Sequence, residues 1–292
     1  MILKQPLDIK QQIAKLKEHG MHVSDEAIAE SFLGKINYYR FSGYALEYRV
    51  SMHTSEYIVG TDFDNIVKIY EFDEKLRDLL RLYLEKVEIY FKTKIAYIFS
   101  VRKCILPPYD QHYLPSNYYR ADKFEKLLQH ITVEEQYFRD TAFVKHHIMT
   151  YKNKMPLWVL VEILTFSTLS KLYSCMYLSE QEAIANSAGT SARILKNNLH
   201  AMAILRNKCS HAGRLYNDTL ALPVVFTPQF LRRHSKIKTT TLFAYIAMLS
   251  RRLPDKECHA LFQNSMYKLI DEYEEYINLD LMGFPDNWRL LV

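Results

Sequence analysis

The stretch that decides the fold is residues 62–100, DFDNIVKIYEFDEKLRDLLRLYLEKVEIYFKTKIAYIFS. Its apolar positions include Phe63, Ile66, Ile69, Leu76, Leu79, Tyr83, Val87, Tyr90 and Phe91. Steps of three and four recur along the whole segment, the period of an amphipathic helix. The spacing predicts one long core helix, or two helices with a slight break between them.

Working outward from it, helical signals continue on both sides. Towards the N-terminus, Ile9, Ile13 and Leu16 mark a short helix over 8–19 that Gly20 stops, and Ser24 is placed to cap a second helix ending near Gly34. Ile36 to Tyr48 is aromatic and reads as irregular. Towards the C-terminus, Pro107, Pro108 and Pro115 mark a loop, and 121–150 reads as helical. Pro156 opens an apolar run from Leu157 to Leu172. Ser179 is placed to cap a short helix ending near Ser187. Gly189 precedes a helix from Ser191 to His211, and Gly213 is positioned as its C-cap. Pro223 and Pro228 bound an irregular stretch, followed by helices over 239–252 and 255–277. With only 7 Gly in 292 residues, a sheet built on tight turns is not expected. The expectation is an all-α bundle, with residues 1–60 an N-terminal helical extension and 61–292 the main helical domain, joined as one continuous body.

The hydrophobic content of 49% is ample for a sizeable core, and 22 Tyr suit a core that meets wet or charged surfaces. The net charge of +5 is compatible with a nucleic-acid partner without demanding one. Cys104, Cys175, Cys209 and Cys258 form no C-x-x-C pair, which argues against a zinc knuckle and a disulfide scaffold and for reduced thiols in a cytoplasm. Met1 to Lys10 has no apolar leader core, and the run Met155 to Leu164 is interrupted by Glu162 and too short to span a bilayer. A cytoplasmic chain without a membrane partner is expected.

The segment that could carry chemistry is Leu205-Arg206-Asn207-Lys208-Cys209-Ser210-His211. On an ideal helix Leu195, Leu199, Met202 and Cys209 fall within about 80° of one another, and Arg206 falls inside that arc. A guanidinium there must meet a carboxylate or an external anion. Glu162 is the first choice of partner, as a buried carboxylate in an apolar helix, with Glu71 and Glu88 behind it. Asn207, Lys208 and His211 lie on the polar side. Arg206 and His211 diverge by about 140° on an ideal helix. They come together only if the helix end unwinds near Gly213 or if two copies of the motif meet. Such residues suit RNA cleavage at its own 2′-hydroxyl. Histidine moves the proton, arginine neutralises the phosphorane-like transition state, and asparagine orients either group. The other reading is an arginine in a core ion pair beside a surface histidine.

The string matches the R-x4-H motif of the HEPN ribonuclease superfamily, and the chain as a whole resembles the Abi-like abortive-infection family. The stretches carrying the resemblance are Pro6 to Gly20, Phe32 to Tyr44, Ile69 to Arg77, Pro156 to Leu169, Leu205 to Asn217 and Gly283 to Trp288. Where a second histidine often follows the first, this chain has Ala212. The resemblance implies a HEPN-type bundle and a metal-independent endoribonuclease without cofactor, with Arg206, Asn207 and His211 as catalytic set. It further implies an RNA substrate, a toxin role in phage defence, pairing as a homodimer, and control by a noncoding RNA or an antitoxin.

Further candidates come from charge and aromatic pattern. Arg40 among Tyr38, Tyr39 and Tyr44 could stack on RNA bases or cover an aromatic cluster. Arg232, Arg233, Lys236 and Lys238 form a basic run suited to phosphates or to solvent, and Lys208 within the motif and Arg214 just past it are further RNA-binding candidates. Lys92, Lys94, Arg102 and Lys103 are a looser version. His146 and His147 are adjacent on a helix and point apart, so they do not suggest a metal site. The rival in a different class is a catalytically silent RNA-binding module. A third reading makes Tyr216 a modified residue.

Overall fold

The computed structural model describes Leu3 and residues 5–51 and 53–292. Met1, Ile2 and Lys4, part of the segment read for a leader, lie outside the described residues. Among the described residues there are thirteen α-helices, and β-structure is limited to three isolated bridges. The all-α expectation holds.

The deciding stretch forms a single helix, α4 (Phe63–Lys103), 41 residues long. That corresponds to about 60 Å of rise. Asp62 begins it by accepting from the backbone N–H groups of Asp64 and Asn65. Its buried stripe runs through Ile66, Ile69, Leu76, Leu80, Leu84 and Val87, so the apolar period continues without the break that was the alternative. Four side chains on this stripe are charged yet buried: Asp73, Arg77, Glu88 and Lys92.

Three helices precede α4: α1 (Ile9–Glu18), α2 (Glu26–Leu33) and α3 (Tyr38–Tyr44). The aromatic segment expected to be irregular is therefore mostly helical. Asn37 caps α3, and the helix buries Phe41 and Tyr44 against α4. The cap of α2 is Asp25, because the Ser24 hydroxyl donates to Asp64 instead.

After α4 come α5 (Ala121–Tyr137), α6 (Ala142–Thr150), α7 (Leu157–Ile163) and α8 (Phe166–Cys175). The apolar run after Pro156 thus splits at Leu164, which is extended, and Thr165, whose side chain caps α8. Next are α9 (Leu178–Ser187), capped at Tyr177 rather than Ser179, and α10 (Ala192–Ser210). Three more follow, α11 (Pro228–Arg233), α12 (Leu242–Ser250) and α13 (Lys256–Tyr273). All nine residues of α12 are buried, as expected of a helix apolar on every side. One cluster of buried side chains runs from Ile13 to Val292. Within it α10 packs on α4, α8, α9 and α12, which fixes the motif at the C-terminal end of α10.

Candidate functional site

The helix carrying the motif keeps its α geometry through Ser210 and closes on His211. The turn beyond is a Schellman arrangement: Gly213 N–H donates to Lys208 C=O (2.7 Å) and Ala212 N–H to Cys209 C=O (3.1 Å). The residue in the left-handed region is Ala212 (φ 52°), not the expected Gly213. Gly213 is needed for closeness instead, since a Cβ there would lie 2.7 Å from Lys208 Cγ. The helix end does not unwind, so Arg206 and His211 keep the divergence of an ideal helix.

The turn is fixed from below by Asp73. This carboxylate is 0% exposed. It accepts from the backbone N–H groups of Leu215 (3.0 Å) and Tyr216 (2.7 Å), from the Tyr44 hydroxyl (2.6 Å) and from the Arg77 guanidinium. From the side, Arg40 donates to the Ala212 carbonyl and Arg214 to the Gly43 carbonyl, so α3 and the turn hold each other. Arg40 also lies over the Tyr70 ring, with 5.6 Å to its centroid. Of the two readings of Arg40, the structure places it in the covered aromatic cluster. Lys208 is bound to Asp218.

On the face above this support, Arg206 Nε lies 3.8 Å from Glu88 Oε2. Glu88 Oε1 is shared with Lys92 Nζ at 3.2 Å. Arg206 Nη1 donates to Asn207 Oδ1 (3.4 Å), and Asn207 Nδ2 donates to the hydroxyl of Ser167 (3.2 Å) at the start of α8. Glu162 is not the partner. It is solvent-exposed, because α7 buries Leu157, Leu160, Val161 and Ile163 and turns Glu162 outward with Trp158. The Arg206 side chain remains 36% exposed, its stem on the apolar stripe and its head reaching out. His211 is exposed, one turn beyond Asn207 on the same side of α10, and its ring makes no hydrogen bond among the described residues.

Cys209 is buried inside the motif, and burial pushes its thiol up to about 12. At neutral pH it is a thiol and not a nucleophile. Tyr216 is buried and its hydroxyl accepts from Asn278 N–H (2.9 Å), which leaves no access for a modifying enzyme. Arg232, Arg233, Lys236 and Lys238 are exposed, but the structure does not bring them to the motif. α11 packs near Ile194 and Asn198, at the opposite end of α10. From Ile194 to His211 the helix rises about 25 Å.

Asp73 was absent from the sequence reading and Glu88 stood behind Glu162. The signal was available: Asp73 falls in step between Ile69 and Leu76 on the core stripe of α4, where a carboxylate requires a built set of donors.

The chain matches the family described as Abi-like protein over residues 31–217, more than half its length. It belongs to the Abi-like family. The matched region begins in α2 and ends just past the turn that Asp73 holds, so it contains α4, the motif and every partner named above except Asp218 and Asn278. No curated protein and no solved structure matches the chain. Among the described residues no helix is long and apolar enough to cross a membrane. Family membership carries the coarse functional reading, an abortive-infection protein.

Proposed function

We propose that this Abi-like protein is a metal-independent endoribonuclease of the HEPN type, acting as a toxin in phage defence. The observation that carries the reading is an exposed imidazole, His211, one turn beyond Asn207, whose side-chain oxygen in turn accepts from the half-buried guanidinium that Glu88 also holds.

In the proposed reaction a histidine takes the proton from the RNA 2′-hydroxyl as that oxygen attacks phosphorus. The bond from phosphorus to the 5′-oxygen breaks, and that oxygen receives a proton from an imidazolium. The products are a 2′,3′-cyclic phosphate and a free 5′-hydroxyl. The attacking group belongs to the substrate, so the step does not require a metal-activated water. Arg206 stabilises the charge on the phosphorane-like transition state, and Asn207 orients it. Arg206 and His211 diverge on α10 and one chain supplies one motif histidine. Two subunits therefore place one imidazole as base and one as acid in a shared cleft. Restraint by a noncoding RNA or an antitoxin follows from the family resemblance.

The test is gel analysis of labelled RNA after any bound RNA has been stripped from the protein. Wild type is expected to cut RNA in the presence of EDTA, to leave 2′,3′-cyclic ends, and to spare a substrate with 2′-deoxyribose at the scissile position. Complete loss of cleavage in EDTA overturns the chemistry. RNA binding without any cleavage supports a silent binding module in its place.

A further inference from the structure

The helix that carries the motif has a second polar feature, further back on the same side. Lys196, His200, Asn207 and His211 fall within about 60° of one another on α10. α8 lies antiparallel alongside. Its Ser167 meets Asn207, and its Ser170, Lys171 and Ser174 stand beside Lys196 and His200. α5 forms the other wall of the same groove with Lys123, Lys126 and His130. The result is an open cleft of about 480 Å³ between α5 and α10, floored by α8.

Its charge sets it apart from the other basic groups near the motif. Lys208 is taken by Asp218, Arg214 by the Gly43 carbonyl and Arg40 by the Ala212 carbonyl. In the cleft, Lys123, Lys126, Lys171 and Lys196 are all exposed, and none has a carboxylate within ion-pair distance among the described residues. The one acid lining it, Asp122, is paired with Arg120 at 3.6 Å. Four free ammonium groups converging on a concave surface raise the local potential for a polyanion. The lining of the cleft reaches His200, which shares its side of α10 with Asn207 and His211. From Lys196 to His211 the helix rises about 22 Å, a path long enough for several phosphates of a chain but far too long for one small anion.

We infer that the α5–α8–α10 cleft is the track for the RNA phosphodiester backbone, leading the strand along α10 to Asn207 and His211. This rests on the ribonuclease reading for the identity of the polyanion. It assigns the binding surface to Lys123, Lys126, Lys171 and Lys196 and not to the α11 run, which packs by Ile194 and Asn198, about 160° round α10 from Lys196 and so away from the side that carries Asn207 and His211.

The experiment uses the full chain with His211→Ala, so that RNA stays intact. Affinity for a fluorescein-labelled single-stranded RNA is followed by anisotropy across a salt series. Lys123→Gln, Lys126→Gln, Lys171→Gln and Lys196→Gln are combined in one variant, with circular dichroism to confirm the fold. The expected result is at least tenfold weaker binding at low salt and a fall of about 3 in the slope of log K against log salt. Arg232→Gln, Arg233→Gln and Lys238→Gln together should leave both values close to those of the parent. Unchanged affinity and slope in the four-lysine variant overturn the inference, as does a parent chain that binds no RNA. So does a four-lysine variant that loses binding of pyrophosphate or of an acidic peptide but keeps its hold on RNA. Cleavage is assayed separately with His211 intact. RNA held by the lysines but left uncut removes the ribonuclease reading and leaves the track standing. RNA cut with no dependence on the lysines does the reverse.

Discussion

Asp73 and Glu88 lie on the same face of the same helix, and each holds an arginine, yet the two pairs are built differently. Asp73 is sealed, and both of its oxygens are taken by Arg77, the Tyr44 hydroxyl and two backbone N–H groups. Glu88 divides itself between Lys92 and a more distant Arg206, whose head reaches solvent. A closed, saturated carboxylate has nothing left to offer a ligand; its work is to hold α3, α4 and the turn after the motif together. An arginine only partly satisfied keeps donors for an anion arriving from outside. The comparison separates a pair closed on itself from a pair that keeps donors to offer, although both sit within a few turns of α4.

The comparison breaks first at His211. It is exposed, so His211→Ala opens no core cavity and should leave thermal stability within about 0.5 kcal/mol of wild type. The same change should lower the cleavage rate on the order of 10²–10⁴-fold, measured on labelled RNA at saturating substrate. Undiminished cleavage removes His211 from the chemistry. Asp73→Ala should behave oppositely. It leaves Arg77, itself buried, without a counter-ion, and strands two backbone N–H groups. A loss of roughly 3–5 kcal/mol is expected in chemical denaturation. A variant that unfolds at the wild-type denaturant midpoint refutes the supporting role.

A third buried titratable group, away from the motif, sharpens the comparison through pH. His112 is buried between Cys104 and Met155; its Nε2–H donates to the Met155 carbonyl (2.9 Å). Burial lowers its pKa from 6.5 to about 4. The unfolded chain therefore takes up this proton near pH 6.5, while the folded chain resists it until about pH 4. The associated stability is present in full above pH 6.5 and is lost as pH falls through that window, by about 3 kcal/mol in all. Denaturation midpoints between pH 7.5 and 4.5 should decline in wild type and decline distinctly less in His112→Gln. An equal decline in both assigns acid sensitivity elsewhere.

The same distinction explains what could be read in the sequence. The period of α4 sets its length and buried stripe, and the motif lies where the spacing of α10 puts it. Arg206 was correctly expected to meet a carboxylate, but the choice of Glu162 failed because periodicity does not say which way a two-turn helix such as α7 faces after a break. That break, at Leu164 and Thr165, reorients the segment and has no strong sequence marker. The roles of Arg40 and Arg214 were out of reach for another reason. Each ends on a backbone carbonyl more than 170 positions away in the chain, Arg40 on Ala212 and Arg214 on Gly43, and carbonyls leave no trace in residue identity.

Glu88→Gln tests the open pair directly. Its contact with Arg206 is long and Arg206 is partly solvated, but the buried Lys92 also loses its counter-ion and keeps only the Glu162 carbonyl, so stability should fall by about 1–3 kcal/mol, less than for Asp73→Ala. Cleavage should fall roughly tenfold through kcat with little change in KM, because Arg206 loses its anchor and not its charge. A large stability loss with normal kcat would put Glu88 in the same class as Asp73.

The smallest effects are expected at the two residues after His211, and their signs are opposite. Ala212 holds φ 52°, a conformation that costs an L-residue roughly 1–2 kcal/mol. Ala212→Gly relieves this, offset by the greater freedom of glycine in the unfolded chain, for a net gain of about 0.5–1 kcal/mol. Gly213 has no such strain, but a Cβ there would stand 2.7 Å from Lys208 Cγ and 3.1 Å from its carbonyl oxygen. Lys208 cannot withdraw freely, since its ammonium is bound to Asp218. Gly213→Ala should therefore destabilise by about 1 kcal/mol. Paired thermal melts read both signs at once. Because the turn positions His211 from below, Ala212→Gly should also leave cleavage near the wild-type rate, the backbone path being unchanged. If glycine at 212 stabilises the fold but slows the reaction, the strained turn itself contributes to holding His211, and the division between supporting and reacting residues no longer holds at this end of α10.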